Sequence, residues 1–226
     1  VTFDSVGGRA AINHNKRMVE SLGYSWDEVI FPIPTTDFTP FAQAIAEKQP
    51  DIVVGHYGSG QNLGMIPALR RSGYAGPYVV ASYGVTEDTI RQAVQRVGED
   101  QNVYYVTRYS TIFDDNPAVA EVAAAQKKYG TSKPFSSMHI TGWALGKFVE
   151  AALKACGWPC SREKFDQSIQ TLKVDATGLT GGPIEMSPQD HYGPSYWRLY
   201  VWNETSHRME AKGDWLKKTS LAFPVQ

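Results

Sequence analysis

Gln49-Pro50-Asp51-Ile52-Val53-Val54-Gly55-His56-Tyr57-Gly58-Ser59-Gly60-Gln61-Asn62-Leu63-Gly64 is the stretch whose reading decides the fold. From Ile52 to Gly55 the run is apolar without alternation, as a strand buried on both faces requires, and this places it centrally in a sheet. The glycines behind it open a helical stretch. Strand, tight turn and helix together form one half of a βαβ crossover, and the same rhythm extends in both directions from here.

Further strands are expected at Val1 to Asp4, Glu28 to Ile33, Tyr78 to Ser82 and Val103 to Thr107, beside Asp51 to His56 itself. Between them Phe38, Phe41, Ala42 and Ile45 recur at helical spacing, as do Ile90, Ala93, Val94 and Val97. Each set is one buried stripe. Thr39-Pro40 and Asn116-Pro117 set a side-chain acceptor before a proline, and Thr86 precedes Glu87 and Asp88, all patterns of helix starts. Gly98 and Gly130 read as stops, and Pro67 either kinks the helix beginning near Asn62 or delays its start. The fold class is therefore α/β, with a parallel sheet flanked by helices.

After Thr107 the rhythm changes. Helices are expected at Pro117 to Tyr129, Ser136 to Cys156 and Arg162 to Leu172, the last capped by Ser161. A Gly-rich passage from Thr177 to Gly182 then leads into a β meander at Ile184 to Met186, Ser195 to Trp202 and His207 to Glu210. The break near residue 110 is the expected crossing between lobes.

Composition excludes several classes of function. The 226 residues carry 22 Lys and Arg against 23 Asp and Glu, so no summed basic field recruits nucleic acid or anionic lipid. The longest mostly apolar stretch, Trp143 to Gly157, contains Lys147, Glu150 and Lys154 and is too short to span a bilayer. The only cysteines, Cys156 and Cys160, bracket Gly157-Trp158-Pro159 after a helix. That spacing closes a small loop as a disulfide in an oxidising compartment, or leaves two buried thiols; zinc would need further ligands nearby.

Ligands of open α/β sheets bind at the carboxyl ends of the strands. Those ends gather Ser5, His56, Tyr57, Ser59, Gln61, Ser82 and Tyr83, a set of mostly uncharged donors and aromatic surfaces. Such groups orient a small ligand. They lack the paired carboxylates, the nucleophile with its base or the metal cluster that catalysis needs, so no enzyme and no cofactor is expected. Gly58, Gly60 and Gly64 are spaced GxGxxxG, which departs from the dinucleotide fingerprint; they serve either a tight turn or a polar small-molecule cradle. Asp190-His191 reads as a loop, and Tyr192, Tyr196, Trp197, Tyr200 and Trp202 as packing at a lobe interface.

Several stretches together resemble the type I periplasmic binding proteins, in the branched-chain amino acid and amide family of ABC-transporter solute receptors. Thr36-Asp37-Phe38 with the helix behind it and Gln49 to Val54 are similar to one family segment, and Ala68 to Gly73 to the end of the next helix. Gly178 to Pro183, Ser187 to His191 and the aromatic meander are similar to the family's C-terminal section. The resemblance implies a Rossmann-like lobe with C-terminal helices and a meander. Residues 1–110 would form the second-lobe core, 111–176 helices of the first lobe, and 177–226 a return to the second; the opening part of the first lobe would be absent. The apolar faces carrying Leu145, Val149 and Leu153 would then need a cover: the second lobe, a homodimer or swapped copy, or a separately supplied segment.

By the same resemblance, ligand contacts fall at Ser5 or Val6, at His56 and Tyr57, and at Tyr83. Tyr83 stands where amino-acid-binding members present an acid, and Asp4-Ser5-Val6-Gly7 stands where a tyrosine commonly precedes the glycine. These departures favour an amide, a carboxylate or an aromatic acid over a leucine-like ligand. The implied protein is a periplasmic or extracellular receptor that passes a small polar metabolite to membrane permease subunits. The rivals are a ligand-sensing regulator or receptor ectodomain on the same fold and a nucleotide-dependent α/β enzyme.

Overall fold

The computed structural model describes residues 1–81, 85–98, 102–130 and 132–217, apart from the Ser59 side chain. They divide into two compact units, residues 1–106 with 200–210, and residues 107–199 with 211–217. Residues 177–199 thus fall in the same unit as the helices.

The first unit alternates strand and helix as its sequence requires: β1 (Thr2–Phe3), α1 (Val6–Ser21), β2 (Ile30–Phe31), α2 (Thr39–Lys48), β3 (Val53–Gly55), α3 (Ser59–Arg71), β4 (Tyr78–Val80), α4 (Glu87–Gln95) and β5 (Val103–Thr107). β5 has the expected length, whereas β1 to β4 are shorter than their expected runs. Strands β1 and β2 are parallel, as are β3, β4 and β5, with Val53 opposite Tyr78 and Tyr78 opposite Val103. Thr2 bridges His56 in parallel sense. The Val1 nitrogen donates to the Val54 carbonyl at 2.7 Å, and the His56 N–H donates to the Val1 carbonyl at 2.9 Å. The resulting order is β2-β1-β3-β4-β5, with β3 inside the sheet. All five strands run parallel, but successive crossovers wind one way from β1 to β2 and the other way from β3 to β5, which makes the β1–β3 seam the topological switch point.

Helix starts show where side chains supply missing acceptors. Thr86 accepts from the Thr89 N–H at the head of α4. Thr39, expected as a cap, is instead the first helical residue of α2: Phe38 already has helical backbone, and Asp37 accepts the Thr39 N–H at 2.9 Å. Pro67 lies inside α3, which continues through it. Proline has no N–H for the Leu63 carbonyl four residues earlier, and the Arg96 guanidinium donates to that carbonyl at 3.0 Å instead. Arg96→Ala is therefore expected to cost about 1 kcal/mol in wild type and far less in a Pro67→Ala background, read as coupling in a urea-unfolding double-mutant cycle.

In the second unit come α5 (Pro117–Tyr129), α6 (Ser137–Cys156) and α7 (Arg162–Ile169). They are followed by β6 (Lys173–Val174), β7 (Ile184–Ser187) and β8 (Asp190–Pro194), an antiparallel sheet in that order. Asp190 and His191 begin a strand rather than a loop, because β8 pairs back on β7. Val119 and Val122 of α5, Ile140, Ala144 and Phe148 of α6, and Leu179 and Ile184 share one core. This packing holds 177–199 beside the helices. Cys156 and Cys160 are joined, with Cα atoms 5.6 Å apart. On the opposite side of α6, Met138, Leu145, Val149 and Leu153 are exposed.

β9 (Tyr196–Asn203), β10 (Arg208–Ala211) and β11 (Leu216–Lys217) are the last elements among the described residues. The order continues β5-β9-β10, with β11 antiparallel to the first part of β9. The expected aromatic cluster separates by position: Tyr200 and Trp202 lie in the first unit's core, whereas Tyr192 is exposed.

Candidate functional site

The carboxyl ends of β1 and β3 lie side by side at the switch point, and each leads directly into a helix. Ser5 caps α1: its hydroxyl oxygen accepts the Gly8 N–H at 2.9 Å. Val6, the first residue of α1, is 89% exposed, so its backbone and side chain face water. Asp4 and Arg9 pair beside them at 2.7 Å, and that bond holds the Asp4 carboxyl below its ordinary range. Neither α1 nor α3 carries an acidic residue in its first turn. At α1 the Asp4 carboxylate lies just before the cap and is turned to Arg9, and at α3 no acidic residue faces the partial positive charge of the first turn, which suits an anionic or strongly dipolar group.

His56 follows β3 and is half-buried; desolvation lowers its pKa and favours the neutral ring. Gln61, on the first turn of α3, extends over Gly58: a β-carbon built on that glycine would lie 3.1 Å from Gln61 Oε1. Tyr57 is placed otherwise than a ligand contact would need. It is only 2% exposed, and its ring packs against Phe31 with centroids 5.3 Å apart. Its phenol is hydrogen-bonded to the Tyr78 phenol. Tyr78 in turn donates to Asn62 Oδ1 at 2.9 Å, and Asn62 Nδ2 donates to the Gly58 carbonyl at 3.0 Å. For Ser59 only the backbone is described, at the start of α3, and Ser82 and Tyr83 lie outside the described residues.

Sequence reading missed Asn62 and Tyr78. The signal was present, since Asn62 falls in phase with Met65, Ile66 and Leu69 on the buried stripe of α3, and an amide there requires partners. Gly64 has a packing reason: a β-carbon there would overlap the Phe38 ring. The third glycine of the GxGxxxG run therefore admits a neighbouring aromatic ring. Among the described residues, no three His, Cys, Asp or Glu side chains gather as a metal site would need.

Burial raises the pKa of both Tyr57 and Tyr78, and for Tyr57 the neighbouring Tyr78 adds to it. A raised folded-state value means that this contribution to stability is intact below the unfolded phenol's value of 10.0 and is lost as pH rises past it. Stability is expected to fall above about pH 10 by up to 1.4 kcal/mol per pH unit for each phenol. Tyr57→Phe should flatten that slope in urea titrations between pH 9 and about pH 11.

A separate groove of about 680 Å³ lies between α5 and α6, lined in part by Val122, Tyr129, Met138, Gly142 and Trp143. Its lining is mostly apolar with Glu121, Gln126, His139, Lys147 and Glu150 among it, and among the described residues Trp143 Nε1 has no hydrogen-bond partner there.

An open, doubly wound sheet with polar groups at its switch point defines the class of ligand-binding α/β lobes. The family profile described as periplasmic binding protein matches residues 1–208, and the chain belongs to that family. No match was found among curated protein sequences. Solved structures with the same fold include a solute-binding protein from R. palustris in complex with 4-hydroxybenzoate, 19% identical, covering 100% of this chain and 61% of that one at a TM-score of 0.79. A branched-chain amino acid ABC transporter protein from Thermus thermophilus with bound valine is 18% identical, covering 96% and 60% at 0.75. A fatty acid ABC transporter substrate-binding protein from Thermomonospora curvata is 18% identical, covering 96% and 56% at 0.75. The chain thus spans about three fifths of the length of these structures.

Proposed function

We propose that the chain forms the ligand-gripping part of a solute-binding receptor that acts outside the cytoplasm with the permease of an ABC transporter. The ligand is a small metabolite bearing a carboxyl group. The observation that carries this reading is the switch point itself, where Ser5, Val6, His56 and Gln61 meet two helix starts that lack acidic first-turn residues. Family membership over residues 1–208 supports it, and so does the chemistry of the neighbours' ligands, since valine, 4-hydroxybenzoate and fatty acids all carry a carboxyl group. These side chains hold and orient; they include no nucleophile paired with a base. Among the described residues no helix is long and apolar enough to cross a membrane.

Amide NMR titration of the chain with valine, benzoate and 4-hydroxybenzoate tests the proposal. Shifts concentrated at residues 4–7 and 56–61 are expected with at least one of them. Shifts confined to nucleotides, or measurable turnover of any of these acids, would defeat it.

The exposed α6 stripe bears on the extent of the receptor. Two fifths of each solved neighbour lies outside the match, and we read α5 and α6 as helices that pack in the complete receptor against a layer outside residues 1–226. Hydroxyl-radical footprinting of the product of the whole reading frame should show Leu145 and Val149 protected relative to the chain described. Equal oxidation in both would rule the reading out.

A further inference from the structure

Three buried side chains behind the switch point form a hydrogen-bond series with one fixed direction. The Gly58 carbonyl only accepts, so the Asn62 amide must turn its nitrogen to Gly58 and its oxygen to Tyr78. Tyr78 spends its single hydroxyl proton on Asn62 Oδ1, so in the contact between the two phenols Tyr57 is the donor. The series runs Tyr57 to Tyr78 to Asn62 to the Gly58 carbonyl. All three side chains are buried, where the low local dielectric strengthens such bonds and each polarises the next.

The Gly58 carbonyl belongs to the peptide whose N–H is that of Ser59, the first residue of α3. That N–H is one of the four at a helix start with no acceptor inside the helix. A hydrogen bond received at the carbonyl draws charge across the peptide and makes its N–H a stronger donor. The same bond fixes the plane of the peptide between Gly58 and Ser59, where the turn after His56 enters α3.

We infer that Tyr57, Tyr78 and Asn62 are positioning residues, a buried relay that aims and strengthens the Ser59 N–H towards an anionic acceptor at the switch point. The inference rests on the proposed function for its ligand, but the relay is testable without one. It also accounts for two phenols and an amide buried together where apolar side chains would fill the space.

The test compares wild type, Tyr57→Phe and Tyr78→Phe by amide NMR and by titration with sodium benzoate and with benzamide, its uncharged counterpart. The Ser59 amide proton is expected to move upfield in both variants while the amides of β5 stay in place. Benzoate binding should weaken by about twofold to fivefold, with benzamide binding unchanged. An unmoved Ser59 amide overturns the relay whatever the ligands do. Equal weakening of both ligands also overturns it, because general loosening of the turn would act on both. A wild type that binds neither ligand while the Ser59 amide still moves upholds the relay and defeats the carboxylate reading instead. Should Tyr78→Phe fail to fold, Tyr57→Phe keeps the Tyr78 to Asn62 bond and carries the test.

Discussion

Trp202→Ala is expected to lower the unfolding free energy by about 3–5 kcal/mol, the largest effect of any single truncation considered for this chain. Trp202 is only 2% exposed and lies in the second half of β9, beside β5 in the sheet order. Tyr200, two residues earlier, points to the same face and packs its ring 6.4 Å from that of Tyr105 on β5. Removing the indole leaves a cavity that the surrounding strands are too constrained to fill. It also strips the main anchor from the segment 200–210, which joins the first unit from far along the sequence. Urea unfolding followed by far-UV circular dichroism should show the midpoint falling with the slope unchanged. A loss below about 1 kcal/mol would mean that the site relaxes and that β9 is not held by this contact.

Gly55→Val carries the second largest effect, a loss of about 3 kcal/mol through overpacking. Gly55 ends β3, and a β-carbon there would fall inside contact distance of the Tyr78 phenol oxygen and 3.0 Å from the Tyr57 oxygen. The added methyl groups would displace both phenols and break the buried series at its source. Gly55→Val combined with Tyr78→Phe should recover part of the loss, because one clashing oxygen is gone; a purely additive double mutant would contradict the packing argument. Gly60→Ala provides the contrast. A β-carbon there meets nothing within 4 Å, and on helical propensity the change should stabilise by a few tenths of a kcal/mol to about 1 kcal/mol.

The neighbourhood of β3 shows why parts of the site were legible and others were not. The apolar run, the turn and the helical phase behind it are local signals, and they located His56 and Gln61 beside the switch point. A residue that follows a strand end is expected to face outward, yet the Tyr57 ring turns inward onto Phe31. Nothing in the residues next to it states that Tyr78, on the adjacent strand, offers a hydroxyl partner. The grouping of residues 177–199 with the helices is equally non-local, since Leu179 and Ile184 meet α5 and α6 only through a shared core.

By itself the sequence determined the strand and helix rhythm to residue 107, the capped starts of α4, α5 and α7, and the neutral polar character of the β3 edge. Periodicity, capping and composition act over a few residues, so a linear reading reaches them. Only the tertiary structure decided that β1 inserts beside β3, that Arg96 replaces the donor missing at Pro67, and that Tyr57 turns its phenol inward onto Tyr78. Each of these joins groups separated by between 21 and 54 residues, and such pairings are selected by packing and hydrogen-bond satisfaction across the sheet, which no local pattern encodes.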